Sequence, residues 1–166
     1  GSSGDNAYYN SSSSGGGQPY IYASAYIATS YPATGKKSLG IGSYSSYNGY
    51  AILPKLNISD YSQITMSFSA YLGSSNKMEV GIIEDVNDIT TYKALEIFTA
   101  SSNLPRVDAL VNFANYADVM TSKHRIVLRG LGNTSTSGMI YVDDIIVNYT
   151  NDALWAPSDI SISDVT

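Results

Sequence analysis

The sequence predicts an all-β domain. Apolar residues recur with a period of two, and strand-favouring residues come in short runs roughly ten residues apart. No segment places apolar residues at i, i+3, i+4 and i+7, the pattern of a helix with one buried face. Eight or nine such runs within 166 residues point to a sandwich or a barrel.

Residues 1–19 are rich in Gly, Ser and Asn. They are expected to form a solvated lead-in, because such a segment buries too little to repay its ordering entropy. The domain body is expected over residues 20–149. It opens with the Tyr- and Ile-rich run 20–27, then 38–42, then 50–53 after a turn at Asn48-Gly49. The clearest alternation sets Ile64, Met66, Phe68 and Ala70 against Thr65, Ser67, Ser69 and Tyr71, one face in a core and one face wet. Met78, Val80 and Ile82 repeat it after a Gly-Ser-Ser-Asn turn at 73–76. Residues 84–88 read as a polar connection, and strands resume over 92–99, 107–113, 125–129 and 139–149. Residues 150–166 form a polar linker, then Ala156-Pro157 and a fresh alternation of Ile160 and Ile162. That ending is similar to the start of a fibronectin type III-like module; a C-terminal edge strand is the alternative.

The final strand changes parity. Ile140 and Val142 share one face, whereas Ile145 and Val147 fall on the other, with Asp143-Asp144 between them. A β-bulge at the two aspartates restores a single apolar face and re-aims a carboxylate off the sheet. Two aspartates inside an apolar strand must be hydrogen-bonded, paired or bound to a cation; capping of nearby amides at the bulge is one solution.

Composition narrows the function. With 9 Lys+Arg against 14 Asp+Glu, a net charge of −5 argues against nucleic acid. No apolar run reaches the roughly 20 residues of a bilayer-spanning helix, so membrane insertion is not expected. Absent cysteine removes thiol nucleophiles and Cys-based zinc sites, and the lone His124 disfavours a catalytic triad. What remains is carboxylate chemistry or none. Glycoside hydrolysis needs two carboxylates facing one cleft, about 5 Å or about 6.5–9.5 Å apart. Glu79, expected on the wet face of its strand, and Glu96 are the candidates, but alternating glutamates on a wet face need no catalytic role.

The tyrosines point instead to binding. Nine of the 15 lie in the first fifty residues. A tyrosine ring stacks on a sugar or packs at an interface, while its hydroxyl stays satisfied in water. Among Ser, Asn and Gly, such rings form an adaptable contact surface, although tyrosine is also an ordinary strand residue. The segment 44–50 is the best candidate, with Tyr44, Tyr47, Asn48 and Tyr50 as ligand contacts.

Several stretches occur in a familiar order: Gly35-Lys36-Lys37-Ser38-Leu39, Leu53-Pro54-Lys55-Leu56-Asn57-Ile58, Arg125-Ile126-Val127-Leu128-Arg129 and Val142-Asp143-Asp144-Ile145. This order resembles the cleaved-adhesin and MAM-like domains of Bacteroidetes surface proteins, gingipain adhesin domains included, over roughly residues 30–149. The resemblance implies an antiparallel β-sandwich of jelly-roll topology. It also implies a structural calcium ion held by Asp143 and Asp144, with Asp143 the first ligand. Backbone carbonyls and Asp5 or Asn6 would complete the six to eight oxygens calcium takes. The chain departs from the family at its front, where the usual opening strand with its acidic residue and downstream Trp is not recognisable before residue 30. The expected function is non-catalytic: a secreted or cell-surface binding or adhesion module, flanked by other domains, that contacts a glycan or an extracellular protein. A calcium-stabilised spacer is the main alternative, and a carboxylate-dependent carbohydrate-active enzyme a lesser one.

Overall fold

The computed structural model describes residues 8–12, 25–44, 47–73, 76–101, 105–131 and 138–150. These carry ten strands: β1 (Tyr8–Ser12), β2 (Ala25–Ala28), β3 (Ser38–Tyr44), β4 (Tyr47–Ile52), β5 (Ile64–Tyr71), β6 (Lys77–Ile83), β7 (Tyr92–Thr99), β8 (Arg106–Asn112), β9 (Arg125–Leu131) and β10 (Gly138–Tyr149). The hydrogen-bonded order is β7-β6-β9-β4-β3-β10-β5-β8, with β1 added to β4 and β2 to β3. The ladder folds over where β3 meets β4. It makes two antiparallel layers of four strands, β7-β6-β9-β4 and β3-β10-β5-β8, so the chain is all-β as its periodicity predicts and the β-sandwich that the resemblance implies.

The core lies between the layers. Met78, Val80, Ile82, Ile126 and Leu128 descend from the first sheet onto Ile41, Met66, Phe68, Ala70, Ile140 and Val142 of the second. The alternation read over residues 64–71 is reproduced: Ile64, Met66, Phe68 and Ala70 are buried, and Tyr71 faces outward. β6 differs, because it is buried on both faces. Its outward Ile83 joins Tyr50, Ile52 and Val127 in a second apolar cluster, covered by Val86, Ile89 and Tyr92. Residues 84–91 are therefore more than a polar connection. Asp88 Oδ1 accepts Thr90 N–H at 2.9 Å and starts a single 3-10 turn, which helps hold this cover in place.

Two sequence expectations change. Asn48-Gly49 is no turn but lies inside β4, whose hairpin with β3 pairs Tyr44 with Tyr47. Gly49 is required because the strands cross there: a Cβ would strike the Gly42 carbonyl oxygen and stand 3.0 Å from Ile41 Cγ2. The lead-in also contains a strand, since β1 pairs antiparallel with β4 from Tyr8↔Ala51 to Ser12↔Tyr47. Main-chain ladder bonds to an open edge need no apolar side chains. The expected linker lies outside the described residues beyond Thr150, whose N–H bonds Gln63 O at 3.0 Å.

Candidate functional site

The outer face of the first sheet carries a polar cluster. The registers place Ile97, Glu79, Arg129 and Tyr50 in one cross-strand row, and Thr99, Lys77 and Leu131 in the next; Asn48 lies two residues before Tyr50 on β4, opposite Ser43 of β3. Glu79 is buried, contrary to the wet-face expectation, with 6 % of its side chain exposed. Its Oε1 accepts Tyr92 Oη–H at 2.6 Å and Arg129 NH1 at 3.0 Å. The guanidinium lies 5.2 Å from the Tyr50 ring centroid and 5.3 Å from that of Tyr92, and these rings meet edge to face at 5.5 Å. Burial, the hydrogen bond to Glu79 and its charge push the Tyr92 hydroxyl far up, so it stays a donor. Gly81 makes the seat: a Cβ there would stand 2.5 Å from the Tyr92 ring and hydroxyl. Arg129 Nε is buried and, among the described residues, has no hydrogen-bond partner.

The expected contact residues divide. Tyr50 is 4 % exposed and packs into this cluster, so its ring offers no free stacking face. Asn48 is half-buried on the same face; the side chains of Tyr44 and Tyr47 lie outside the described residues. Glu79 and Glu96 do not face each other. Glu79 pairs with Ile97 and Glu96 with Val80, one step along the ladder, so they project to opposite faces. Glu96 instead accepts Tyr116 Oη–H at 3.3 Å on the core side.

The bulge is where the sequence placed it. The β10–β5 register shifts between Asp143 and Ile146, and Ile145 and Val147 pack against the same core as Ile140 and Val142. Asp143 Oδ2 accepts the N–H groups of Ala33 at 2.8 Å and Thr34 at 3.1 Å, and its Oδ1 that of Asp144 at 2.9 Å. Asp144 Oδ1 accepts Thr34 Oγ1–H at 2.6 Å. Desolvation opposes ionisation of Asp143, but the amides of Thr34, Asp144 and Ala33 and the Arg106 charge outweigh it, holding the carboxyl below its ordinary range. Among the described residues no three His, Cys, Asp or Glu side chains come together. A depression of about 270 Å³ beside the pair is lined by Lys37, Leu39, Val142 and Ile145 as well as the aspartates. The expected calcium ligands Asp143 and Asp144 are thus engaged by main-chain and hydroxyl donors, and Asp5 and Asn6, expected to complete the shell, lie outside the described residues.

What the aspartates hold is the loop after β2. Arg106 donates to Tyr31 O at 2.9 Å and Pro32 O at 3.3 Å, and Ser38 Oγ to Ser30 O at 2.7 Å. So tethered, Tyr31 lies over the second sheet's outer face. Its ring stacks on Tyr71 at 4.0 Å and 4°, with Tyr141 at 5.2 Å. Tyr31 has φ 49°, left-handed backbone that costs a non-glycine residue about 1–2 kcal/mol. Sequence reasoning missed this cluster. The one available signal was that Tyr71 and Tyr141 fall on outward parity near neighbouring strand ends.

The frame that carries these clusters is an antiparallel β-sandwich of jelly-roll topology. By sequence the chain matches no family profile and no curated protein. Among solved structures it matches the K3 cleaved adhesin domain of Lys-gingipain from Porphyromonas gingivalis, at 14 % identity and TM-score 0.55, over 87 % of this chain and 98 % of that one. It matches TmCBM61, solved with β-1,4-galactotriose, at 9 % and 0.54, over 86 % and 88 %. It also matches part of the Endo-D glycoside hydrolase domain structure from Streptococcus pneumoniae R6, at 10 % and 0.52, over 84 % of this chain but 21 % of that one. The resemblance to cleaved-adhesin domains thus holds in fold.

Proposed function

We propose that this chain is a non-catalytic binding module of an extracellular protein, and that it holds a glycan on the outer face of its first sheet. The observation that carries the reading is Arg129. Its guanidinium is fixed by Glu79 and flanked by two tyrosines, and the side chain is still 22 % exposed. A partly exposed cationic donor held rigid between two rings is preorganised to meet an acceptor from outside. Lys77 and Thr99 in the adjoining row, and Asn48 two residues before Tyr50 on β4, offer ammonium, hydroxyl and amide groups suited to sugar hydroxyls. The opposed directions of Glu79 and Glu96 count against hydrolysis, because neither could act across a bond from the other. The shared frame of TmCBM61 and the K3 adhesin domain supports a binding role as analogy.

A glycan and matrix-protein array tests this with the whole chain and with Asn48→Ala/Lys77→Ala. Retention of neutral glycans, lost in the double variant, is the expected result. Retention of matrix proteins alone would reassign the ligand class. Retention of nothing would leave a spacer.

A further inference from the structure

A second surface, on the opposite side of the sandwich, is built around Tyr31. The registers set Gly40, Tyr141, Tyr71 and Arg106 in one cross-strand row on the outer face of the second sheet. Tyr31 covers Tyr71 nearly parallel, yet remains 52 % exposed. One face of its ring is taken by Tyr71, with Tyr141 tilted beside it, and about half of the residue is open to water. Asp143, Asp144, Arg106 and Ser38 all hold the short stretch 30–34 by hydrogen bonds. The tyrosine at its centre adopts a backbone conformation better suited to Gly or Asn. An unfavourable backbone conformation, kept by convergent tethers and ending in an exposed flat ring, is the pattern of a contact residue.

The ligand class follows from what surrounds the ring. Arg106, the cation nearest the stack, already donates to Ser69 Oγ and to the carbonyls of Tyr31 and Pro32. The next row along the sheet is Asp143, Ser69 and Asp108, which disfavours an anion. A half-exposed tyrosine offers on the order of 100 Å², far below the roughly 800 Å² per partner of a stable protein interface. The exposed apolar pair Leu110 and Ile146 stands two rows away, beyond that polar row, and does not extend the patch. A ring-sized apolar face rimmed by hydroxyls and carboxylate acceptors matches a neutral hexopyranose, whose C–H face stacks while its hydroxyls reach the rim.

We infer that Tyr31, stacked on Tyr71 and held by Asp143 and Arg106, is the platform of a second glycan contact that takes a neutral hexose. The inference shares its ligand class with the proposed function but not its residues. Calorimetric and saturation-transfer titrations should compare neutral β-1,4-linked galactotriose and cellotriose with an acidic galacturonic trisaccharide, on the whole chain. Tyr31→Asn tolerates the left-handed backbone and removes the ring; Tyr31→Phe keeps it. Tyr31→Asn is expected to weaken the neutral saccharide about tenfold or more, and Tyr31→Phe by under about threefold. Thermal midpoints should stay within a few degrees of each other. Binding unchanged in Tyr31→Asn but lost in Asn48→Ala/Lys77→Ala would overturn the platform and leave the first face standing. Preference for the acidic trisaccharide would overturn the ligand class assigned to Tyr31. No neutral saccharide bound by the unaltered chain would overturn both sites.

Discussion

Removing the Arg129 guanidinium while keeping Glu79 should be among the more damaging single changes outside the core. Glu79 is 6 % exposed and holds two donors, Arg129 at 3.0 Å and Tyr92 at 2.6 Å. Arg129→Met preserves much of the aliphatic bulk between Tyr50 and Tyr92 but leaves the carboxylate with only the hydroxyl. Breaking one side of a buried pair costs about 3–5 kcal/mol. Arg129 is itself 22 % exposed, so water reaches part of the cluster and the lower end, about 3 kcal/mol, is expected. At about 2–4 °C per kcal/mol for a chain of this size, the midpoint should fall by roughly 6–12 °C. Urea unfolding of Arg129→Met, Glu79→Leu and the double variant measures the coupling. The double variant should recover to within about 1 kcal/mol of the original, because it buries no unpaired charge. Single variants costing under about 1 kcal/mol, or strictly additive effects, would refute the reasoning.

Four further outcomes follow from the same geometry. Gly49→Ala drives a methyl group against the Gly42 carbonyl and Ile41, and should cost about 2–3 kcal/mol in chemical unfolding. Leu110→Thr and Ile146→Thr should each stay within about 0.5 kcal/mol of the original, since those side chains are 67 % and 53 % exposed. Asp143 has a lowered folded pKa, so its contribution is present above the unfolded value and lost as pH falls through the folded one. Acid unfolding followed by circular dichroism below about pH 4 should be less steep in Asp143→Asn than in the original. Because amides already occupy Asp143, calcium and EDTA should give midpoints within about 2 °C of each other; a rise of several degrees with calcium would assign a cation to the pair.

How much of this was legible beforehand depends on the range of the interaction. The alternation from Ile64 to Tyr71 reports burial directly, because side chains on a strand point to opposite faces in turn. The parity change across Asp143-Asp144 likewise exposed the bulge. Gly49 was misread because a glycine needed for a turn and one needed where two strands cross look alike in sequence. Glu79 was placed in water because its strand alternates. The cover over it comes from Tyr92, and its ion-pair partner from β9, fifty positions away.

The sequence by itself determined the fold class, the strand runs, the place of the bulge and the improbability of nucleic-acid or thiol chemistry. Those properties rest on periodicity and composition, which act within a few neighbouring residues. Only the tertiary structure decided which tyrosines are presented and which are packed away. Tyr50, one of the four expected contacts, is packed within the outer cluster, whereas Tyr31, in the loop after β2, is on the surface. The physical reason is that a side chain's exposure is set by what other strands and loops lay over it. Tyr31 stands where it does because Asp143, 110 residues from Ala33, accepts the amides of its loop.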